Sequence, residues 1–257
     1  MTYPYEHQRT NEYEPQSRPH SHRRGERRIS GTRRMIRFGV LATAALGTIG
    51  TAAGIAQAVT IGNGFSSDNG GVAVADNTTF ALSNAQDQTS FKDSFTIHQD
   101  GAVQAAYLRN QATAESVACS PDAPCRAVSL SFQIVTMAGT DIHLNAINLS
   151  NAENVHCAGC QTVAGAYQFV VSTPGVFTLN ATARAQLNTI HRELNALSNS
   201  KLSADQVQST ADTLAAKVEA ILKNAAATSP EGPVLRPLTA SALSGPSVTV
   251  YKDFQHH

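Results

Sequence analysis

The sequence predicts an α+β protein: a small sheet built from repeated strand–helix–Cys-loop–strand units, followed by an antiparallel helical hairpin. Three observations predict it. A segment of the chain repeats with its cysteines in step. Each repeat ends in an alternating, β-branched run. Beyond the repeats, apolar residues recur at three- and four-residue spacing.

The repeat is read from two stretches. "CRAVSLSFQIV" at 125–135 and "CQTVAGAYQFV" at 160–170 share Cys, Val, Gln and a final Val at an offset of 35, with Phe132 opposite Tyr167. Upstream the offset becomes 38, where Gly101, Asn110, Ala114, Glu115, Val117 and Cys119 match Gly139, Asn148, Ala152, Glu153, Val155 and Cys157. The three-residue change falls between paired cysteines, "CSPDAPC" against "CAGC". A fixed internal period marks one supersecondary unit used twice.

Both unit ends, "AVSLSFQIV" and "TVAGAYQFVV", read as strands, and "SFTIH" at 94–98 is a third. The connections between them favour a helix, because Leu108, Ala112 and Glu115 fall at helical spacing. A helix between strands suits a crossover. A long hairpin is the alternative, since "LNAINL" at 144–149 half alternates.

After Pro174 the period changes. Leu187, Ile190, Leu194 and Leu197 form an amphipathic stripe, and "SADQ" at 203–206 is a capping box. It opens a second helix carrying Val207, Ala211, Leu214, Val218, Ile221, Leu222 and Ala225 on one face. The short link makes the helices antiparallel. Residues 228–257 then comprise a Pro-, Ser- and Gly-rich linker and a terminal strand, "SVTVY".

The formal charge is zero, but it is split. Residues 1–37 hold nine Arg and four Glu, and the rest of the chain holds ten basic and fifteen acidic residues. The body therefore offers phosphates no basic face, which argues against a nucleic-acid partner. Residues 1–37 read as a disordered basic cytoplasmic tail. Residues 38–59, "FGVLATAALGTIGTAAGIAQAV", carry no charge and are long enough to cross a bilayer. Arg33, Arg34 and Arg37 flank them, so the positive-inside rule keeps the tail in the cytoplasm and sends the body out. The segment is either a transmembrane anchor or a signal h-region cleaved after Ala58, at the small-x-small "AQA". The first expected partner is thus the cytoplasmic membrane, through residues 38–59. The body is then a repeat domain over 60–175 and a helical hairpin over 176–227, at the cell membrane or secreted.

Outside the cytoplasm, four cysteines imply disulfides. Each repeat brings its own pair to the same place, so the simplest pairing is Cys119 with Cys125 and Cys157 with Cys160. Alternatives are a four-thiolate zinc site and a redox Cys-x-x-Cys. The redox motif needs a strand–turn–helix, and here a strand follows the pair. Gln161 stands where covalent haem needs His. The staple reading requires no cofactor and no metal. His98, His143 and His156 are isolated, and Arg192 and Glu193 of "HRE" read as a solvated helix face. No HExxH, phosphate loop or Gly-x-Ser-x-Gly elbow occurs, so no catalytic residue is assigned. Asn77, Asn148 and Asn180 head Asn-x-Ser/Thr triplets.

The repeated cysteine pairs, the "AYQFVV"-type strand and the "TLNATARAQLNTIHRELNAL…ADQVQSTADTLAAKV" helix pair resemble a family of actinobacterial membrane-anchored or secreted proteins, over roughly residues 90–226. Such proteins often carry the label peptide zinc metalloprotease, but the zinc-binding helix motif is missing here. Two departures are the stretched "CSPDAPC" and Gly165 in place of a larger residue. The resemblance implies location and fold. The functional expectation is a non-catalytic binding or scaffolding module of the cell envelope with an envelope partner; the alternative is a hydrolase with zinc as its cofactor.

Overall fold

The computed structural model describes residues 60–63, 71–139, 141–228 and 245–257, all within one compact unit, Ala53–His257. The strands are β1 (Thr60–Asn63), β2 (Gly71–Asn84), β3 (Thr89–Val117), β4 (Arg126–Ala138), β5 (His143–Val155) and β6 (Gln161–Thr173). Helices α1 (Ala181–Ala196) and α2 (Ala204–Ala227) follow, and β7 (Ser247–His256) closes the order. The α+β class with a terminal helical hairpin is therefore present. The expected tail and membrane segment, residues 1–59, and most of the 228–246 linker lie outside the described residues. Among the described residues no helix is long and apolar enough to cross a membrane.

The repeat is a coil of parallel strands. β3 changes sheets partway along, at a register shift between Gln99 and Ala102. Its first half pairs with β4, and β4 with β6. Its second half pairs with β2 on one side and β5 on the other. The chain thus alternates between two sheets, and each strand lies parallel to the one a turn later. The offsets seen in the sequence are this register: Phe132 pairs with Tyr167 and Gln133 with Gln168, while Asn110 pairs with Asn148 and Glu115 with Glu153.

The predicted helix in the repeat is absent: residues 105–117 are the second half of β3, and 144–149 lie within β5. Neither forms a hairpin, because both pair in parallel. The reason is what the second sheet buries. Ala106, Leu108, Asn110, Ala112, Ala114 and Ser116 point inward, while Tyr107, Arg109 and Glu115 point away. In β5 the contrast is reversed, with Asn148 inside and Ile147 and Leu149 exposed. A period of two exists, but small and polar residues occupy the buried face, so hydropathy does not report it.

The two sheets face each other across those small side chains. Ala81, Ala112, Ala114, Ala127, Ala152, Ala164 and Ala166 form one cluster. Beside it, Thr79 Oγ1 lies 2.7 Å from Ser129 Oγ and Gln168 Nε2 donates to Gln133 Oε1 at 2.7 Å. Short residues permit the close approach, and each polar group placed there needs a partner.

The opposite face of the first sheet is the main apolar core. Phe95, Phe132 and Tyr167 sit one above another on successive turns, with ring centroids 5.9 and 4.6 Å apart. The helical hairpin covers them with Leu187, Ile190, Leu194, Leu197, Val207, Leu214, Val218 and Leu222. Ser203 and Gln206 form the predicted capping box. Asn180, the head of one Asn-x-Thr triplet, caps α1 by accepting from Ala183 N at 2.8 Å.

β7 is the predicted terminal strand. It pairs antiparallel with β6 and ends the parallel coil. Its Asp253 and Gln255 side chains accept from the Ser150 and Ala152 backbone N–H groups at 2.7 and 3.5 Å. The free edge of β5 is thereby partly satisfied, which blunts strand-to-strand association. Gly165 has a packing role: a Cβ there would lie 2.8 Å from Phe254, whose residue is its partner on β7.

Candidate functional site: the cysteine cluster

Two loops at one end of the coil bring the four cysteines together. One joins β3 to β4 and the other joins β5 to β6. Cys119 is bonded to Cys125, with Cα atoms 5.9 Å apart, and Cys157 to Cys160, with Cα atoms 5.7 Å apart. This is the pairing that the repeat predicts. Each bridge closes a short loop and stabilises by about 2 kcal/mol on the chain-entropy argument.

The repeat extends to the backbone. Ala118, just before Cys119, has φ 55°, and His156, just before Cys157, has φ 50°. Both occupy the left-handed region, which costs a non-glycine residue about 1 kcal/mol or more. Gly159, before Cys160, has φ 75°. The ladder is continuous on both sides of the loops: Ala118 N donates to Val155 O, and Gln161 N to Cys125 O, each at 2.9 Å. The extra residues of the first loop therefore bulge outward, with Pro121, Asp122 and Pro124 exposed.

As a result the two disulfides sit side by side. All four sulfur atoms lie within 4.8 Å of one another. Cys119, Cys125 and Cys160 are buried and Cys157 is half-buried. The Cys125 backbone N–H donates to Cys160 Sγ at 3.1 Å. The Asn84 carbonyl lies 3.2 Å from Cys125 Sγ, and the Val117 carbonyl 3.4 Å from Cys119 Sγ. The sequence shows the pairs; that the two pairs touch follows only from the turn-on-turn stacking.

A second polar centre escaped sequence reasoning. Asn77, Asn110 and Asn148 occupy the same place on three successive strands, β2, β3 and β5. Asn77 Nδ2 donates to Asn110 Oδ1 at 3.1 Å, and Asn110 Nδ2 to Asn148 Oδ1 at 2.8 Å. Ser131 Oγ donates to Asn110 Oδ1 at 2.6 Å, and Asn148 Nδ2 to Ala166 O at 2.9 Å. Two of the three Asn-x-Ser/Thr triplets are thus members of this internal stack. The signal was available in the aligned Asn110 and Asn148.

The histidines separate. His191 is buried and its Nε2 lies 3.1 Å from Asp93 Oδ2, while its neighbours Arg192 and Glu193 are exposed as expected, Glu193 meeting Lys217 at 2.8 Å. His98 lies beside Asp100; burial pushes the His98 imidazole below its usual range and the Asp100 carboxyl above its own. His143 lines a cleft with Val103, Asp141 and Val176, and His156 is exposed at the cysteine loop. Tyr167 donates to Asp212 Oδ1 at 2.9 Å, and burial with that carboxylate pushes its hydroxyl far up, so it stays a donor. Lys252 meets the same oxygen at 2.6 Å. These contacts tie layers together. No family model, no curated protein and no solved structure matches the chain.

Proposed function

We propose that the chain is a non-catalytic binding or scaffolding module of the cell envelope, with its body outside the cytoplasmic membrane. The reading of location rests on Arg33, Arg34 and Arg37 beside the uncharged residues 38–59, and on paired cysteines, which suit an oxidising compartment.

The observation that carries the binding role is the outer face of the second sheet. Val74 is 70 % exposed, Tyr107 55 %, Leu149 51 % and Phe80 50 %. On this face Val74 lies beside Tyr107, while Asp76, Arg109 and Gln111 stand between that pair and Phe80 and Leu149, so the surface offered is amphipathic rather than one continuous apolar patch. It is backed by the hydrogen-bonded Asn77–Asn110–Asn148 stack, which holds the three strands in register and limits the entropic cost of binding.

Protease added to intact spheroplasts tests the location: digestion of the body is expected, and full protection refutes it. A photo-crosslinking residue at Tyr107 tests the face. Expected is one crosslinked envelope component that disappears in a V74D/F80D variant; a crosslinking pattern unaffected by those charges refutes the binding role.

A further inference from the structure

We infer that the four cysteines, when reduced, form a closed tetrathiolate site for a thiophilic divalent cation, with zinc as the fitting ion. The site is separate from the sheet face assigned to partner binding, and it forms only where both bridges are reduced, not in the oxidising compartment to which the envelope reading assigns the body.

Geometry comes first. Zn–S bonds of about 2.3 Å place the four sulfurs of a tetrahedron about 3.8 Å apart. Cys119, Cys125, Cys157 and Cys160 already hold their sulfurs within 4.8 Å of one another. Opening the two S–S bonds frees each pair to move apart toward that spacing. The unequal loops are no obstacle, because the ladder fixes the loop ends and the longer loop bulges into solvent.

The backbone around the sulfurs points the same way. Cys125 N–H is aimed at Cys160 Sγ, and a thiolate is a far stronger acceptor than a disulfide sulfur. The left-handed residues Ala118 and His156 each precede the first cysteine of a pair, so the same strained turn delivers a sulfur to the cluster on two successive turns of the coil. Strain of this kind persists where the surroundings over-determine a position.

The chemistry balances as follows. Each disulfide accepts two electrons and two protons from a dithiol, which itself closes to a cyclic disulfide. The four resulting thiols release four protons as four metal–sulfur bonds form. Four thiolates fill a tetrahedral coordination sphere, so the site has no open position for water or substrate and is structural.

The test uses the full chain, reduced anaerobically with a phosphine, and Co²⁺ as a spectroscopic probe. One Co²⁺ per chain is expected, with a sulfur-to-metal charge-transfer band and the intense visible bands of tetrahedral coordination, displaced by Zn²⁺. The oxidised chain shows neither. C125S and C160S each weaken Co²⁺ binding by about a hundred-fold or more, beyond the range of outer-shell changes, whereas H156A leaves it unchanged. Where reduction unfolds the chain, Zn²⁺ restores the far-ultraviolet circular dichroism of the oxidised protein. Absence of tetrahedral bands, binding insensitive to C125S, or failure of Zn²⁺ to restore the fold overturns the proposal.

Discussion

His191 and Asp93 are 98 positions apart in the chain and meet at 3.1 Å beneath α1. Asn195 Nδ2, one helical turn beyond, donates to the other Asp93 oxygen at 3.1 Å. Phe95 stacks on the His191 ring at 5.3 Å. One carboxylate thus registers the first helix against the strand that begins the repeats. Removing it in D93A leaves two donors facing an apolar layer and should cost about 2–3 kcal/mol. Denaturant unfolding should show a lower midpoint with an unchanged slope; a midpoint equal to the parent's refutes the assignment.

The asparagine stack is expected to be more sensitive. Asn110 is fully buried and bonds Asn77, Asn148 and Ser131. N110A strands groups on three strands at once, with a loss of about 3 kcal/mol or more. Because the stack backs the outer face, hydrogen exchange should quicken first in β2 and β5. Exchange that rises only in the helices would place the stability elsewhere.

For the oxidised chain, replacing Cys157 and Cys160 together by Ser should cost about 2 kcal/mol and several degrees of melting temperature. Binding of the proposed envelope partner below the new melting point should persist. Non-reducing peptide mapping of the parent should find only the two local bridges; a bridge between the loops contradicts the pairing.

Asp100 supplies a pH test. Its carboxyl is raised above the ordinary 3.8 by burial, opposed in part by His98. The folded state therefore disfavours the carboxylate, a penalty absent at low pH that sets in as pH rises through 3.8 toward the folded value. His98 is lowered from 6.5 by burial, so its penalty appears in the opposite direction, as pH falls through 6.5. D100N should thus melt higher than the parent at pH 7, and the advantage should vanish below about pH 3.8. An advantage that persists unchanged into acid counts against the burial argument.

The helical hairpin was legible residue by residue: Leu187, Ile190 and Leu194 contrast with polar neighbours, and Ser203 with Gln206 marks a start. β4 and β6 were legible for a different reason: they are continuous runs rich in branched and aromatic residues, buried on both faces. The second sheet was not, because Asn110, Ala112 and Ser116 face inward while Tyr107 and Leu149 face out. A hydropathy reading looks for the reverse. The repeat still contained the answer, since matched Asn110 and Asn148 or Glu115 and Glu153 mean equal orientation in stacked turns. Of the cysteine cluster, the pairs were visible and their meeting was not. His191 was hidden because its partner lies on β3, and nothing local marks it.

The closing arrangement of β7, Asp253 and Gln255 has a consequence for growth. It caps the last turn and makes no demand on how many turns precede it. The length differences between turns are taken up in loops, outside the ladders. A chain of this design changes size in whole increments: one further unit spliced between β5 and β6 would set a new strand, in place of β5, against Asp253 and Gln255. Each increment widens the outer face by one strand, about 4.8 Å. Duplication of one unit would thus widen that face in a single step, which no point substitution can do.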